Sequence, residues 1–352
     1  MTDAKRPMDR ALLQRLPKAE LHCHLDGSIR PETLIDLARL QGGTMPRGDA
    51  HALRDFMTVK DARSLEDYLA RFDVTLSVLQ RADALERVAY ELGEDAHREG
   101  VLYIEVRFSP VLNIRGGLTP HEVVDAVLRG LGRAERDLGI IARVIVTAMR
   151  HLSVDSSLEM ARLAVDYRGK GVVGFDLAGA ERGNPAARHA TAFEYARSHD
   201  LACTCHAGEG DGAASVRQAI HDCGASRIGH GTRLLEDPSL LEYVGDRRIP
   251  IEICLTSNVQ THAAASYNQH PARRYFDAGL IVVLNTDNRL MSATTLTNEY
   301  ACAAEHLGFN LEELCRVALN GFESAFLPMK ERETLLARAR DAITRLGAAR
   351  LT

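Results

Sequence analysis

Short apolar runs rich in β-branched residues alternate along the chain with longer stretches in which apolar residues recur at helical spacing. The short runs predict strands over residues 19–25, 101–108, 140–147, 172–177, 202–206, 227–230, 249–254 and 281–286. Strands that alternate with helices form parallel sheets, because each crossover connection holds a helix. Eight such units over about 270 residues indicate a closed (β/α)8 TIM barrel, whose usual length is about 250 residues. An open doubly wound sheet is the alternative, but no Gly-x-Gly-x-x-Gly motif follows the first strand.

Two segments exceed the plain barrel. About 75 residues separate the first two predicted strands, which is more than one crossover helix needs. They hold helical patterns at 31–40, 64–79 and 82–98 and an irregular stretch at 42–61, and further helical patterns follow the last strand. We therefore expect a single domain, 1–352, with a helical lid inserted after the first strand and extra C-terminal helices. The apolar residues of the lid are expected to form core more often than substrate cover, and they are Phe56, Met57, Val59, Leu65, Tyr68, Leu69 and Phe72.

Composition and charge narrow the possible partners. The 352 residues include 43 Lys and Arg against 48 Asp and Glu, a formal net charge of −5 without basic runs. This balance argues against nucleic acid or an anionic membrane as the main partner. No apolar run is long enough for a membrane span, and the N-terminus is polar. Seven cysteines without a Cys-x-x-Cys motif favour reduced thiols in a cytoplasmic protein.

Histidine is unusually frequent, with 14 residues, and two of them end the first predicted strand in His22-Cys23-His24. Alternation along a strand places His22 and His24 on one face and Cys23 on the other. Two imidazoles at the mouth of a barrel can hold one metal ion. A thiolate zinc site is the competing hypothesis, but the same parity turns Cys203 and Cys205 away from the face of His206.

Other strand ends add to this pair. The fifth strand ends in His206-Ala-Gly-Glu209, the sixth in His230, and the eighth in Asn285-Thr-Asp287. The carboxyl ends of the strands form the active-site rim of such barrels. Three histidines and one carboxylate, His22, His24, His206 and Asp287, suit a catalytic Zn²⁺. Glu209 and His230 then remain for proton transfer and for orienting water.

At these residues the sequence resembles the adenosine deaminase family. Six stretches carry the resemblance, in the order found in the family: Lys18-Ala-Glu-Leu-His-Cys-His-Leu-Asp-Gly-Ser28, Asp176-Leu-Ala-Gly179, His206-Ala-Gly-Glu209, Arg227-Ile-Gly-His-Gly231, Leu255-Thr-Ser-Asn258 and Asn285-Thr-Asp287. The quoted stretches lie between residues 18 and 287, and the resemblance covers nearly the whole chain, roughly residues 18 to 330. Leu255-Thr-Ser-Asn-Val-Gln-Thr261 is similar to the bacterial branch in particular.

The resemblance implies zinc-dependent hydrolytic deamination of adenosine and 2′-deoxyadenosine to the inosine product and ammonia, in purine salvage. It implies one Zn²⁺ per chain on His22, His24, His206 and Asp287. Glu209 would protonate purine nitrogen 1, and His230 would hold the attacking water and help to deprotonate it. For the substrate it implies a contact of the Gly179 N–H with nitrogen 3, of Asp26 with the ribose 5′-hydroxyl, of Asn288 with nitrogen 7, and a position for His24 beside the purine.

Two departures from the family pattern keep alternatives open. Asn288 stands where a second Asp is usual, and Ala180 replaces the usual Asp after Ala-Gly, with Glu181 next. An amide donates a hydrogen bond without needing a proton, so Asn288 could preserve the nitrogen 7 contact or mark another substrate. The same chemistry on adenine or on aminodeoxyfutalosine is therefore the alternative. A non-catalytic purine-binding zinc protein is less favoured, because a closed structural site needs no neighbouring Glu and His.

Several polar residues are expected to lie outside the site. Arg107, at the end of the second strand, is expected to form a structural ion pair inside the barrel. Ten histidines are expected to be surface or ordinary helix residues, since lone polar residues are mostly exposed. They are His51, His97, His121, His151, His189, His199, His221, His262, His270 and His306.

Overall fold

Eight parallel strands run in sequence order around a barrel in the computed structural model, which describes residues 8–59 and 71–347. The strands are β1 Lys18–His24, β2 Val101–Phe108, β3 Ile141–Met149, β4 Val172–Ala178, β5 Ala202–Ala207, β6 Arg227–His230, β7 Ile251–Ile253 and β8 Val282–Leu284. Each pairs with the next in the chain. The prediction of a (β/α)8 barrel is confirmed.

Backbone hydrogen bonds just beyond β8 complete the ring against β1. The Asp287 N–H donates to the His22 carbonyl at 2.9 Å, and the His24 N–H donates to the Asp287 carbonyl at 2.7 Å. Cys23 and Asp287 form a parallel bridge. The closing contact between the last and first strands is thus made by the residues that carry the candidate chemistry.

The described helices surround the barrel. In chain order they are α1 Arg10–Arg15, α2 Pro31–Leu40, α3 Ala50–Met57, α4 Phe72–Leu76, α5 Ala82–Arg98, α6 Pro120–Leu138, α7 Val154–Asp166, α8 Ala190–Ser198, α9 Ala213–His221, α10 Pro238–Asp246, α11 Leu255–Gln260, α12 Ala272–Asp277, α13 Leu296–Leu307, α14 Leu311–Glu323 and α15 Met329–Arg345. Short 3₁₀ turns lie at Pro110–Asn113, Ala186–His189, Leu234–Glu236 and Tyr267–Gln269. None of the helices in the two described ranges is both long and apolar enough to cross a bilayer.

The two surplus segments are helical, as predicted, but their details differ. Helices α2 to α5 separate β1 from β2, and α13 to α15 follow β8. The stretch predicted as irregular contains α3, because Asp49 accepts a hydrogen bond from the Ala52 N–H and caps a helix there. The predicted helix at 64–79 lies partly outside the described residues, as do Leu65, Tyr68 and Leu69.

Local signals account for the other boundaries. The predicted capping box of α6 is present, with reciprocal hydrogen bonds between Thr119 and Glu122, and Gly139 ends the helix in a left-handed conformation. The predicted strands at 249–254 and 281–286 are each reduced to three residues. The chain turns into α11 at Leu255, directly after β7, so the rim is reached by a shorter strand than the apolar run suggests.

Candidate active site

Five predicted side chains converge at the carboxyl-terminal rim of the barrel. They are His22 and His24 on β1, His206 on β5, His230 at the end of β6, and Asp287 just after β8. Four of them, His22, His206, His230 and Asp287, offer ligand atoms within 4.8 Å of one another. His24 Nε2 lies 3.1 Å from His206 Nε2 and 3.3 Å from Asp287 Oδ1. The geometry therefore brings together every predicted ligand and places His230 equally close.

Carboxylates behind two histidines aim their rings. His22 Nδ1 lies 2.9 Å from Glu252 Oε2, and His206 Nδ1 lies 3.1 Å from the Asp176 carboxylate. A carboxylate behind Nδ1 keeps the proton on that nitrogen and leaves a lone pair on Nε2. His22 Nε2 is buried without a hydrogen-bond partner, although Asp287 Oδ1 lies 3.3 Å away. An orphaned imidazole nitrogen among nitrogen and oxygen donors fits a metal ion.

The Asp287 carboxylate is also held in place. The Ser257 hydroxyl donates to Asp287 Oδ2 at 2.6 Å, which leaves Oδ1 facing the histidines. His230 and Asp287 both have positive φ, 64° and 62°. Non-glycine residues in this region cost on the order of 1–3 kcal/mol and persist where the surrounding structure enforces them, which is common at functional sites.

The cysteines lie on the opposite face of their strands, as parity predicts. Cys23 Sγ is 3.5 Å from the Ser28 hydroxyl, and Cys205 Sγ is 3.8 Å from Arg150 Nη2. Both thiols are buried, and burial raises the pKa of Cys23 to about 12. The group of ligand atoms that converges at the rim contains no sulfur among the described residues, so the geometry favours the nitrogen and oxygen set.

Glu209 stands beside this cluster on the loop after β5. It is buried, and its Oε2 lies 3.6 Å from His230 Nε2. Burial, followed by the nearby negative charges of Asp287 and Glu181, raises the pKa of Glu209 well above its ordinary value. A glutamic acid that stays protonated near neutral pH can act as a general acid.

A cavity of about 210 Å³ opens onto these residues. Its apolar walls include Phe72, Leu76, Leu112 and Met149, and its polar lining residues are His24, Asp26, Asp73, Ser109, Thr147, His151, His206, Glu209, His230, Asp287 and Asn288. Ala178 and Gly179 complete the lining. The predicted substrate residues Asp26, Gly179, Asn288 and His24 therefore border one space with Glu209 and His230.

Two of these residues offer polar atoms that the fold leaves unused. Asp26 Oδ1 and Asn288 Oδ1 are buried without a hydrogen-bond partner. Burial raises the pKa of Asp26 to about 7. Gly179 has φ +100°, and a side chain there would approach Met149 Cε at 3.3 Å. Polar atoms without a partner, next to a glycine whose backbone is open to the cavity, are typical of a pocket that forms hydrogen bonds with a ligand.

Beneath the rim, the barrel interior holds a chain of paired charges. Arg107 contacts Glu252 at 2.8 Å and Asp176 at 3.3 Å, which confirms its predicted role in an internal ion pair. Arg227 contacts the same Glu252 at 2.7 Å and also pairs with Glu105. Glu252 is not among the residues predicted from the sequence. Its signal is a lone charged residue between two isoleucines on β7.

Several outside residues are placed differently than expected. His189 and His270 are buried rather than surface residues, because tertiary hydrogen bonds satisfy both rings. His151 is exposed but lines the cavity. Of the lid residues, Phe72 borders the cavity, whereas Met57 and Val59 belong to the buried core.

A cluster of histidines and a carboxylate at the carboxyl-terminal rim of a (β/α)8 barrel is typical of a metal-dependent hydrolase. The model of the family described as adenosine deaminase matches residues 17–342, so the chain belongs to that family. It is a hydrolytic deaminase of a metal-dependent type, and the family acts on small purine substrates.

Similar proteins agree with this assignment. An adenosine deaminase of Mycobacteroides abscessus is 45% identical over 94% of this chain and 95% of its own length. The N6-methyl-AMP deaminase of Arabidopsis thaliana has a TM-score of 0.83 and 30% identity, covering 96% of this chain and 100% of that one. An amidohydrolase of Burkholderia ambifaria with bound zinc has a TM-score of 0.86 and 25% identity, covering 99% and 98%.

Proposed function

We propose that the protein hydrolyses adenosine and 2′-deoxyadenosine, each with one water, to inosine or 2′-deoxyinosine and ammonia. One observation carries the proposal: a single cavity joins the buried Glu209, whose pKa is raised by burial, to the cluster of histidines and Asp287. Hydrolysis at carbon 6 needs a nucleophile on one side and a proton for the ring on the other. The similarity to the mycobacterial enzyme points to the same substrate.

The cluster is proposed to hold one Zn²⁺ per chain through His22, His24, His206 and Asp287. The donor set is the one zinc prefers, and the zinc-bound structure of the Burkholderia relative supports that metal. When bound, the ion supplies the Lewis acidity that makes water nucleophilic near neutral pH. Glu252 and Asp176 are proposed to hold the Nδ1 protons of His22 and His206.

The chain's own groups are proposed to bind and activate the purine. The Glu209 carboxyl gives its proton to nitrogen 1 as carbon 6 is attacked, and the Gly179 N–H donates to nitrogen 3. The Asn288 amide donates to nitrogen 7, and Asp26 accepts from the ribose 5′-hydroxyl. His24 borders the ring, and the apolar side chains of Phe72 and Met149 exclude water from its faces.

Charge at the cavity favours a nucleoside over a nucleotide. Three aspartates, Asp26, Asp73 and Asp287, line it, and the part of the chain that the structure describes contributes no lysine or arginine to the lining. Among these described residues a phosphate would meet carboxylates and no lysine or arginine.

Adenine and 5′-modified adenosines such as aminodeoxyfutalosine remain the alternative substrates. Asn288 motivates them, because it borders the cavity where the family usually has Asp. Ala180 gives them less support, since it is absent from the described lining. Relative kcat/KM over adenosine, 2′-deoxyadenosine, adenine and AMP ranks these possibilities, and the proposal expects the two nucleosides to lead.

Activity is tested by following the absorbance change as adenosine is converted to inosine by zinc-loaded protein. Glu209→Gln keeps the shape of the side chain but holds no transferable proton, so kcat/KM is expected to fall by at least about 10²-fold. The variant should fold and bind zinc normally. Glu333→Gln makes the same chemical change on the exposed face of α15 and should change nothing. Equal inactivity of the wild type and Glu209→Gln, with zinc bound, would support a non-catalytic purine-binding protein instead.

We also propose that residues 1–352 form one domain and that the enzyme works in the cytoplasm. None of the seven cysteines forms a disulfide in the structure, and six of them are buried, which suits a reducing compartment. Non-reducing electrophoresis of protein from gently lysed cells should show no intramolecular or intermolecular disulfide.

A further inference from the structure

A line of buried polar groups runs from the active site to the backbone of α12. His230 Nδ1 lies 2.9 Å from Asn258 Nδ2, and Asn258 Oδ1 lies 3.0 Å from His270 Nε2. His270 Nδ1 lies 3.1 Å from the Ala272 N–H. The three side chains are 1%, 0% and 2% exposed, so water does not compete for these contacts.

The direction of each hydrogen bond in this line is set by the Ala272 N–H at the end farthest from the active site. A backbone N–H can only donate, so His270 Nδ1 must accept and its single proton must be on Nε2. That Nε2–H donates to Asn258 Oδ1, which turns the amide so that its NH₂ group faces His230. The NH₂ group donates to His230 Nδ1, which therefore carries no proton. Burial lowers the pKa of His270 to about 3, in keeping with a neutral ring.

The group behind Nδ1 separates His230 from its neighbours. His22 and His206 have carboxylates there, which accept a proton and leave Nε2 with a lone pair. His230 has an amide donor there, which does the reverse. A second proton on His230 Nδ1 would confront the Asn258 NH₂ group, so the same contact also opposes the imidazolium form.

We propose that His270 and Asn258 are positioning residues that fix His230 as the Nε2–H tautomer, so that His230 donates a hydrogen bond into the cavity. An Nε2–H offers no lone pair to a metal ion. This explains why His230 can stand as close to the cluster as the ligands do without being one of them. Nor can this nitrogen take a proton from water, so the expectation that His230 deprotonates the nucleophile is replaced by one in which it orients the nucleophile.

The tautomer can be measured without any turnover. Nitrogen-15 NMR of the histidine-labelled protein distinguishes protonated from unprotonated ring nitrogens, and the signals that disappear in His230→Gln assign this ring. We expect a proton on Nε2 and none on Nδ1, in metal-free and zinc-loaded protein alike. A proton on Nδ1 in the wild type would overturn the inference, whichever variants fold.

Asn258→Asp tests the relay of hydrogen bonds from His270 through Asn258 to His230, since it replaces the NH₂ group by a second acceptor of nearly the same shape. The carboxylate is expected to draw the His230 proton to Nδ1. If His230 retains the Nε2–H signature in this variant, the relay does not control the tautomer. His270→Gln is the conservative control, because its amide can still donate to Asn258 Oδ1 and should preserve the wild-type signature. Loss of that signature in His270→Gln would also contradict the hydrogen-bond directions assigned to His270 and Asn258.

The kinetic consequence rests on the proposed deaminase function. Asn258→Asp should lower kcat by about 10²–10⁴-fold with little change in KM, because substrate contacts are untouched while the proton sits on the wrong nitrogen. Full activity with the switched tautomer would refute the orienting role. If the wild type turns over no purine, the proposed function fails, but the NMR result still decides the relay.

Discussion

Two buried glutamates, Glu252 and Glu209, lie beside the same cluster of histidines. They differ in their charged partners and in the direction in which their pKa values are shifted. Glu252 lies in the barrel interior, where Oε1 accepts from Arg227 and Thr204, and Oε2 contacts Arg107 and His22. Burial alone would raise its pKa, but Arg107 and Arg227 hold the pKa well below the ordinary value. Among the residues that the structure describes, no arginine or lysine pairs with Glu209 at the rim, and its pKa is raised instead.

The difference separates structure from chemistry within one barrel. A carboxylate between two guanidinium groups is fixed in charge and in geometry, and it aims His22 at the rim. A carboxyl left without a cation keeps its proton and can give it to a substrate. The interior therefore supplies the charge pairing that stabilises the ligands, while the rim retains unsatisfied groups for the purine.

The largest effect is expected from removing the charge of Glu252. Glu252→Gln leaves Arg107 and Arg227 buried with one carboxylate fewer, and breaking a buried pair in this way costs about 3–5 kcal/mol of unfolding free energy. Zinc affinity should fall as well, by about 10–100-fold, because the ring of His22 is no longer held by a carboxylate. Denaturant unfolding of metal-free protein and a chelator competition measure the two effects.

Glu209→Gln provides the contrast for that experiment. It removes a carboxyl that no cation neutralises, so unfolding free energy should change far less than in Glu252→Gln. If the two variants lose equal stability, the distinction between a structural and a chemical glutamate is wrong.

A third buried glutamate sharpens the comparison through pH. Glu299 accepts hydrogen bonds from Thr256 and Thr294 but forms no ion pair within the described ranges, and burial raises its pKa from 4.5 to about 7. The folded state then binds this proton more tightly than the unfolded state does. The stabilisation is complete below about pH 4.5 and is lost as the pH rises from there through about 7, on the order of 3 kcal/mol in all.

Glu299→Gln carries a neutral amide at every pH and should not show this loss. Unfolding free energies of the wild type and the variant are measured side by side from pH 5 to 8.5. The wild type should fall relative to Glu299→Gln up to about pH 7, and the difference should then stay constant. Parallel curves would mean that Glu299 is ionised in the folded protein throughout this range.

A smaller effect is expected from crowding the rim. A Cβ on Gly27 would lie 1.7 Å from Asn288 Oδ1 and 2.9 Å from Asn288 Cβ. Gly27→Ala must therefore displace Asn288, at about 1–3 kcal/mol, and most of this should appear as a lower kcat/KM because Asn288 borders the cavity. Gly48→Ala is the control, since its Cβ meets nothing within 4 Å. An unchanged kcat/KM in Gly27→Ala would separate Asn288 from catalysis.

The sequence alone predicts the rim well because strand periodicity is local. Side-chain alternation places His22 with His24 and turns Cys23 away, and the barrel rule brings Asp287 to the same edge. In the structure His22 and His24 both lie near Asp287, and Cys23 faces Ser28 instead. The partners behind the ligands are harder to predict, since Glu252 reaches His22 across 230 residues of sequence.

Where prediction failed, a local signal was outweighed by tertiary contacts or misleading composition. His270 stands in a polar run before Pro271, which suggests a surface turn, yet Asn258 and the Ala272 N–H satisfy its ring in the interior. The glycines and proline at 42–48 suggested an irregular stretch up to residue 61, and they hid the Asp49 cap that starts α3. Hydrogen-bond partners distant in sequence leave no periodic signal.

The smallest effect is expected from Asn288→Asp. In the proposed binding mode Asn288 donates to nitrogen 7 without needing a proton, and an aspartic acid whose pKa is raised by burial, like that of Glu209, would donate as well. One neutral hydrogen bond contributes about 0.5–1.5 kcal/mol, so kcat/KM for adenosine should change by less than about tenfold. The ratio of adenosine to adenine turnover should stay constant, whereas Asn288→Leu should lose more activity on both. A change of preferred substrate in Asn288→Asp would instead make position 288 the determinant of specificity, and the unpaired groups of the rim would then select the purine as well as activate it.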